Sequence, residues 1–248
     1  MRRFGLIGYP LSHSFSAGYF AKKFAEENIS DTVYENFPIA TIDEFKLLLK
    51  KFPDIAGFNV TIPYKEKIIP FLNEIDSEAK EIQAVNTIKF IKTNAGVVLK
   101  GFNTDVYGFE NTLKPLLEHY HKKALILGTG GASKAIKFIL KKLGIGYVSA
   151  SIEDLKENEI RYEAIDKHMI EDHLLIINAT PLGTFPKVDA CPAIPYDYIT
   201  SRHVLYDLVY NPEVTLFLQK GKAKGAKTTN GLQMLHLQAE KAWSIWNS

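Results

Sequence analysis

The stretch ALILGTGGASKAIKFILKKLG, from Ala124 to Gly144, limits what this chain can fold into more than any other. Four apolar residues, Ala124 to Leu127, run into Gly128, Gly130 and Gly131. The segment that follows carries apolar residues at helical spacing: Ala135, Ile136, Ile139, Leu140 and Leu143. The pattern predicts a strand, a tight turn and a helix. Glycines let the backbone take positive φ and let a pyrophosphate approach the main chain, while the helix presents unpaired N–H groups and the positive end of its dipole. A dinucleotide is the ligand such a turn suits. Ser133 stands where a GxGxxG fingerprint has its third glycine, so the form here is GxGGxxxA, ending at Ala135. An ordinary β-to-α turn with nothing bound shares this local pattern.

The loop lies near the middle of 248 residues, which favours two domains with a break between Asp105 and Lys123. With 46% hydrophobic and 23% charged residues, the chain has the composition of a soluble globular protein. A net charge of only +2, without a basic stripe, argues against nucleic acid or an anionic membrane as partner. The opening MRRFGLIGYPLSHS is broken by Gly8, Pro10 and Ser12 before reaching signal-peptide length, so it reads as a first strand. No apolar run is long enough to span a membrane. One cysteine, Cys191, excludes an internal disulfide and a cysteine-rich metal site and fits a reducing, cytoplasmic setting. Lying among Pro186, Pro192 and Pro195, it reads as a packing or surface residue.

In the first hundred residues, Phe4 to Tyr9 is expected as a strand, with Ser16 as N-cap of a helix carrying Tyr19, Phe20, Phe24 and Ala25. Further expectations are a strand at Thr32 to Phe37, an amphipathic helix at Ile42 to Phe52 and a short strand at Phe58 to Val60. After a break at Pro63 comes a helix from Lys65 to Leu72, and then a hairpin pairing Ile88–Ile91 with Gly96–Lys100 across Thr93 and Asn94. Strand-like runs end repeatedly in small neutral polar residues: Ser12 to Ser16, Asn59 and Thr61, Asn86 and Thr87, Asn103 to Asp105. Ligands of open α/β sheets sit beyond the carboxyl ends of the strands, so these groups are candidates for one pocket. Hydroxyls and amides without full charges suit a small polyhydroxylated substrate. The same residue types are also the ordinary ones of turns and caps.

Two charged residues stand apart. A lysine at position 65, at the start of the expected helix, opposes the helix dipole and gains nothing from it. Asp105 stands at a strand end before a helix, where its default role is N-cap. Facing each other, the two would each favour the other's charged form, and the lysine could donate a proton to an oxygen gaining negative charge.

Taken together, SHSFS (Ser12 to Ser16), NVTIPYK (Asn59 to Lys65), AVNT (Ala84 to Thr87), GFNTD (Gly101 to Asp105), GTGGASKA (Gly128 to Ala135), NATPLG (Asn178 to Gly183), YDLVYNP (Tyr206 to Pro212) and NGLQMLHLQA (Asn230 to Ala239) resemble the shikimate dehydrogenase family over essentially the whole length. The resemblance implies a two-domain α/β enzyme that reduces 3-dehydroshikimate to shikimate with NADPH, on the route through chorismate to the aromatic amino acids. Residues 1–105 would form the substrate-binding domain and 106–229 a Rossmann-like dinucleotide domain. Residues 230–248 would form a last helix that returns to the first domain. Lys65 would be the general acid, with Asp105 as its partner. Ser14, Ser16 and Tyr210 would bind the substrate carboxylate, and Thr61, Asn86 and Gln238 the ring hydroxyls. Gly128, Gly130, Gly131, Ala132, Thr180, Gly231 and Met234 would meet the cofactor. The expected partner is a small molecule only, and the protein a monomer or homodimer.

The chain departs from the family after the second strand of the dinucleotide domain, expected at Gly146 to Ser149. Members that use NADP typically carry an Asn-Arg-Thr-like triplet there, whose arginine holds the 2′-phosphate; this chain has Ser149, Ala150 and Ser151. Without a guanidinium the phosphate loses its bidentate partner, although Ser149, Ser151 or Lys156 could bond to it. Glu153 and Asp154 would suit the free 2′-hydroxyl of NAD. NADP is the favoured cofactor, with NAD as the alternative. Thr184 replaces a methionine common in the family beside the nicotinamide. The remaining strands are expected at Leu174–Asn178 and Val204–Val209, and helices at Val106–Leu117, Pro212–Lys224 and Gly231–Trp246.

Of the seven histidines, His13 lies among the serines and could reach the pocket, but none has metal-ligand spacing with carboxylates or cysteine, so structural or solvated roles are expected for all. Two rivals remain: an NAD-dependent quinate or shikimate dehydrogenase, and a non-catalytic nucleotide or metabolite sensor that keeps the fold.

Overall fold

The computed structural model describes residues 1–11 and 14–248; the expectation for His13 lies outside the described residues. The chain divides into two compact units. One is Met1–Thr104 with Gln238–Ser248, the other Asp105–Leu237.

The first unit holds β1 (Arg2–Gly8), α1 (Phe15–Glu26), β2 (Thr32–Pro38), α2 (Phe45–Lys51), β3 (Ile55–Val60), β4 (Glu74–Ile75), α3 (Ser77–Ile82), β5 (Thr87–Thr93) and β6 (Gly96–Phe102). Its sheet has the order β2-β1-β3-β5-β6-β4. β1 pairs in parallel with β2 on one side and β3 on the other, so the strand order reverses there and the crevice between β1 and β3 opens at their carboxyl ends. Gly8 and Thr61 mark that place: a Cβ on Gly8 would stand 2.4 Å from Thr61 Cγ2. One face of the sheet buries Ile7, Phe37, Phe45, Phe58, Ile68 and Ile88. The other buries Phe4, Phe20 and Phe24 with Ala239, Ala242 and Trp246 of the last helix. Each large apolar side chain so buried contributes about 1.5–3 kcal/mol. The Trp246 indole N–H also donates to the Ile88 carbonyl at 3.0 Å.

Several local expectations shift. Ser14, not Ser16, occupies the N-cap of α1, and Ser16 is buried in its first turn. The helix expected at Ile42 begins as a 3₁₀ turn capped by Thr41 and Glu44, and becomes α-helical at Phe45. No α-helix follows Lys65: residues 65–72 form turns and a single 3₁₀ turn at Ile69–Phe71, because Pro70 removes a donor in the middle of the run. Thr93 is the last paired residue of β5, facing Gly96, so Asn94 and Ala95 make the hairpin turn.

The second unit holds α4 (Asp105–Leu113), β7 (Lys123–Leu127), α5 (Gly131–Lys142), β8 (Gly146–Ser151), β9 (Glu159–Arg161), α6 (Lys167–Asp172), β10 (Leu175–Asn178), β11 (Val204–Asp207), α7 (Leu216–Ala223), β12 (Lys227–Thr229) and the start of α8 (Leu232–Asn247). All neighbours in the order β12-β11-β10-β7-β8-β9 are parallel. Counted from β7 this is the doubly wound order 3-2-1-4-5-6 read from the far edge, with its switch point between β7 and β10. Asp105 is the first helical residue of α4 rather than its cap. That helix gives way after Leu113 to a 3₁₀ turn containing Pro115, well short of Leu117. The helix expected from Pro212 begins at Leu216, where the Thr215 hydroxyl caps it by accepting from Leu218 N–H at 3.4 Å.

Candidate active site

In the first unit Lys65 is fixed through its neighbours. Tyr64 is buried and its hydroxyl donates to the Ile39 carbonyl at 2.6 Å, while the Lys65 carbonyl accepts from Val85 N–H at 2.8 Å. Segment 84–87 is thereby tied to the lysine. Asn86 is oriented by a donor that cannot reverse: the backbone N–H of Thr104 reaches its Oδ1 at 2.7 Å, so its Nδ2 is the group on the other side. Thr87 Oγ1 donates to the same Oδ1 at 3.1 Å. The Thr104 hydroxyl lies 3.2 Å from Asn86 Oδ1 and 3.3 Å from Gln238 Oε1, bringing Asn86 and Gln238 onto one side chain. Asn103 Nδ2 donates to the Ala84 carbonyl at 2.9 Å.

The network continues toward α1. Asn59 Nδ2 donates to the Asn86 carbonyl at 3.3 Å and to Thr87 Oγ1 at 3.1 Å, and its Oδ1 accepts from the Tyr34 hydroxyl at 2.8 Å. Burial pushes the phenol pKa of Tyr34 up. Ser14 Oγ is buried with no hydrogen-bond partner among the described residues. Within this unit the structure therefore joins Asn86 and Gln238 through Thr104, with Thr61 at the β1/β3 crevice and Ser16 buried in the first turn of α1. Thr87 and Thr104, which the sequence offered only as strand-end polar residues, form links in this network, and Tyr34 is a link that the sequence reading did not single out. Their roles depend on partners 17 or more residues away, and only the recurrence of Asn and Thr at strand ends hinted at them.

In the second unit, Gly128 has φ +102° and sits at the switch point, where a Cβ would lie 2.8 Å from Thr180 Cγ2. Gly130 is the N-cap of α5 and supplies no side-chain cap, and a Cβ on Gly130 or Gly131 would meet nothing within 4 Å. Open space over the unpaired N–H groups of a helix's first turn, which includes Ala132, fits the pyrophosphate of a dinucleotide. Thr180 donates through its N–H and hydroxyl to Asn178 Oδ1 at 3.0 and 2.6 Å, and Asn178 Nδ2 donates to Asp207 Oδ1 at 2.9 Å. Asp207 is fully buried, and burial pushes its carboxyl up to about 6.

At the end of β8 the three residues differ. The Ser151 hydroxyl accepts from Glu153 N–H at 3.1 Å and lies 3.4 Å from Thr129 Oγ1, near the glycine loop. Ser149 is fully buried and its Oγ has no partner, so it offers no atom to a surface ligand. Ala150 packs in the core with Leu125, Leu127 and Ile176. Gly231 passes so close to Leu208 that a Cβ would stand 2.1 Å from its carbonyl oxygen, and Gly108 likewise lies against the main chain of Met234. Asp105 is buried in the first turn of α4, and Tyr210 is half-buried, which pushes its hydroxyl up.

Among the described residues no group of His, Cys, Asp or Glu could hold a metal, and no helix is long and apolar enough to cross a membrane. His121 and His203 are backbone staples. Each Nδ1 accepts from a main-chain N–H, of Glu118 at 2.8 Å and Thr200 at 3.0 Å, and each Nε2 donates to a carbonyl, of Arg202 and Ile170, both at 3.0 Å.

A doubly wound sheet with an open glycine turn, joined in one chain to a unit that gathers amides, hydroxyls and a lysine at its own strand crossover, defines a two-unit α/β protein of the nucleotide-dependent oxidoreductase class. The family model for the shikimate dehydrogenase substrate binding domain matches residues 6–88. The chain is 37% identical to the NADP(+) shikimate dehydrogenase of Caldicellulosiruptor saccharolyticus over 99% of this chain and 92% of that one. A shikimate 5-dehydrogenase from Thermus thermophilus, solved with NADP(H) and shikimate, is 32% identical over 99% of this chain and 93% of its own, with TM-score 0.83. A quinate dehydrogenase from Corynebacterium glutamicum, solved with NAD, is 25% identical over the same shares, with TM-score 0.86. The chain belongs to the shikimate dehydrogenase family.

Proposed function

We propose that the protein interconverts 3-dehydroshikimate and shikimate using NADP. The observation that carries this is the 37% identity to an NADP(+) shikimate dehydrogenase along nearly the full length of both chains. Residues 1–105 bind the substrate, 106–229 the dinucleotide, and 230–248 complete the substrate domain. NADPH, when bound, supplies the hydride. Lys65 donates its ammonium proton to the substrate oxygen that gains negative charge and recovers it in the reverse direction, with Asp105 as its partner. Ser14, Ser16 and Tyr210 hold the carboxylate, and Thr61, Asn86 and Gln238 the ring hydroxyls. Gly130, Gly131 and Ala132 give the pyrophosphate main-chain N–H groups, and Thr129 and Ser151 offer hydroxyls at the ribose end. Gly128, Thr180, Gly231 and Met234 shape the nicotinamide end. The protein works in the cytoplasm as a monomer or homodimer.

A second reading, an NAD-dependent quinate or shikimate dehydrogenase, is favoured by one observation: position 150 carries a core alanine where a phosphate-binding arginine would be expected. Specificity constants for shikimate and quinate with each cofactor decide between them. A tenfold preference for NAD, about 1.4 kcal/mol, would overturn the NADP assignment. No turnover with any of the four combinations would leave a binding protein.

A further inference from the structure

We infer that Asp207 is a positioning residue for the dinucleotide, holding the two turns that meet its nicotinamide end, one after β10 and one before α8. This rests on the proposed role of Gly128, Thr180 and Gly231 at that end. Asp207 Oδ1 accepts from Asn178 Nδ2 at 2.9 Å and from Val209 N–H at 3.0 Å, while Oδ2 accepts from the Thr215 hydroxyl at 2.5 Å. Asn178 has only one way to stand. The Thr180 N–H, a donor that cannot reverse, reaches its Oδ1 at 3.0 Å, so its Nδ2 must face the carboxyl group. The same Oδ1 takes the Thr180 hydroxyl hydrogen at 2.6 Å, and that hydroxyl's oxygen accepts from Leu182 N–H at 3.2 Å. The hydroxyl is thereby used inside its own turn, and the Thr180 methyl is left against Gly128. The second turn is held through the main chain. Val209, whose N–H bonds to Asp207, accepts from Gly231 N–H at 3.2 Å, and the Leu208 carbonyl lies so close to Gly231 that no Cβ fits. One carboxyl group thus sets both turns. Asp207 and Asn178 are fully buried, so solvent cannot supply the missing bonds if either side chain is removed.

Asp207→Ala removes both acceptors. Asp207→Asn keeps Oδ1 for Asn178 and Val209, and its Nδ2 can donate to the Thr215 oxygen. With whichever of NADP and NAD the unmodified protein prefers, kcat/KM for the dinucleotide is expected to fall about thirtyfold in Asp207→Ala and to return to within about threefold in Asp207→Asn. The readout that a merely structural role would not separate is calorimetric binding of the same dinucleotide without its nicotinamide, 2′-phospho-ADP-ribose or ADP-ribose. Its Kd should stay within about twofold in both variants. Asn178→Ala leaves the bonds of Asp207 to Val209 and Thr215 in place and should show the same separation with a loss of about tenfold, so it carries the test if Asp207→Ala does not fold. Equal weakening of fragment and whole dinucleotide, unchanged kcat/KM, an Asp207→Asn variant as impaired as Asp207→Ala, or loss of fold in both alanine variants would each overturn the role. No turnover of shikimate or quinate by the unmodified protein would instead overturn the functional reading beneath it. Turnover by that protein with unaffected alanine variants removes Asp207 alone.

Discussion

The hydroxyl of Thr215 donates to Oδ2 of Asp207 at 2.5 Å while its oxygen caps the first turn of α7. A carboxylate at the end of β11 is in this way tied to a helix on one side and, through Asn178, to Thr180 on the other. Asp207 is dry, and its pKa of about 6 lies above the ordinary 3.8 because burial disfavours the charge. Between those two values the folded chain holds a proton that the unfolded chain has released. The group's contribution is therefore full below about pH 4 and is lost as pH rises through 6, a cost of about 3 kcal/mol at neutrality. Asp207→Asn keeps an acceptor and cannot titrate. Denaturant midpoints at pH 4.5 and 7 are expected to show the loss in the unmodified protein and a flatter response in the variant; equal slopes would refute this.

His121 and His203 act with the opposite sign. Burial holds both below the usual histidine range, so they favour the fold above pH 6.5 and lose that contribution as pH falls, when a proton on Nδ1 would face a main-chain N–H. His203→Leu should be less stable by about 2 kcal/mol at pH 7.5, with the gap narrowing by pH 5. Urea melts at the two pH values read it directly.

The glycines of the loop divide by task. Gly128→Ala forces a side chain into positive φ and against Thr180, so a loss of about 2–3 kcal/mol in stability is expected. Gly131→Ala meets empty space at the start of α5 and should melt at or above the unmodified protein's temperature, while its KM for NADP rises tenfold or more (order of magnitude). Thermal melts with cofactor titrations separate the two.

Ser149 carries a buried hydroxyl without a partner. Ser149→Ala should therefore raise stability by about 1 kcal/mol and leave the KM for NADP unchanged. A weakened cofactor affinity would instead make that hydroxyl a ligand contact.

Lys65→Ala removes the proposed proton donor. Turnover is expected to fall by about a hundredfold or more, with the KM for shikimate changed far less. Stopped-flow or steady-state absorbance of the nicotinamide reads both. A variant that turns over normally would leave the proton to another group.

The sequence was most informative where a pattern is local. Apolar runs such as Ala124–Leu127 and the glycines after them identify strand and turn because each residue's task is settled within a few neighbours. It was least informative where a competing local feature or a distant partner decides. Pro70 prevents the helix after Lys65 despite a helix-forming run, and the cap of α1 falls at Ser14 although Ser16 has the same chemistry. The short elements β9 and α6 carry too few residues for a period to emerge. Tyr34 and Thr104 look like ordinary strand and loop residues. Only the pairing of β1 with β2 and β3, and of β5 with β6, brings them to Asn59 and Asn86.

The last helix gives the first unit its Ala239, Ala242 and Trp246. During synthesis, residues 1–104 therefore leave the ribosome without part of their own core, and the whole of Asp105–Leu237 is made before Gln238 is added. The unit begun first is completed last, and until then the aromatic face of Phe4, Phe20 and Phe24 has no cover from its own chain's end. A nascent chain stalled before α8 lacks the cover that Ala239, Ala242 and Trp246 give this face.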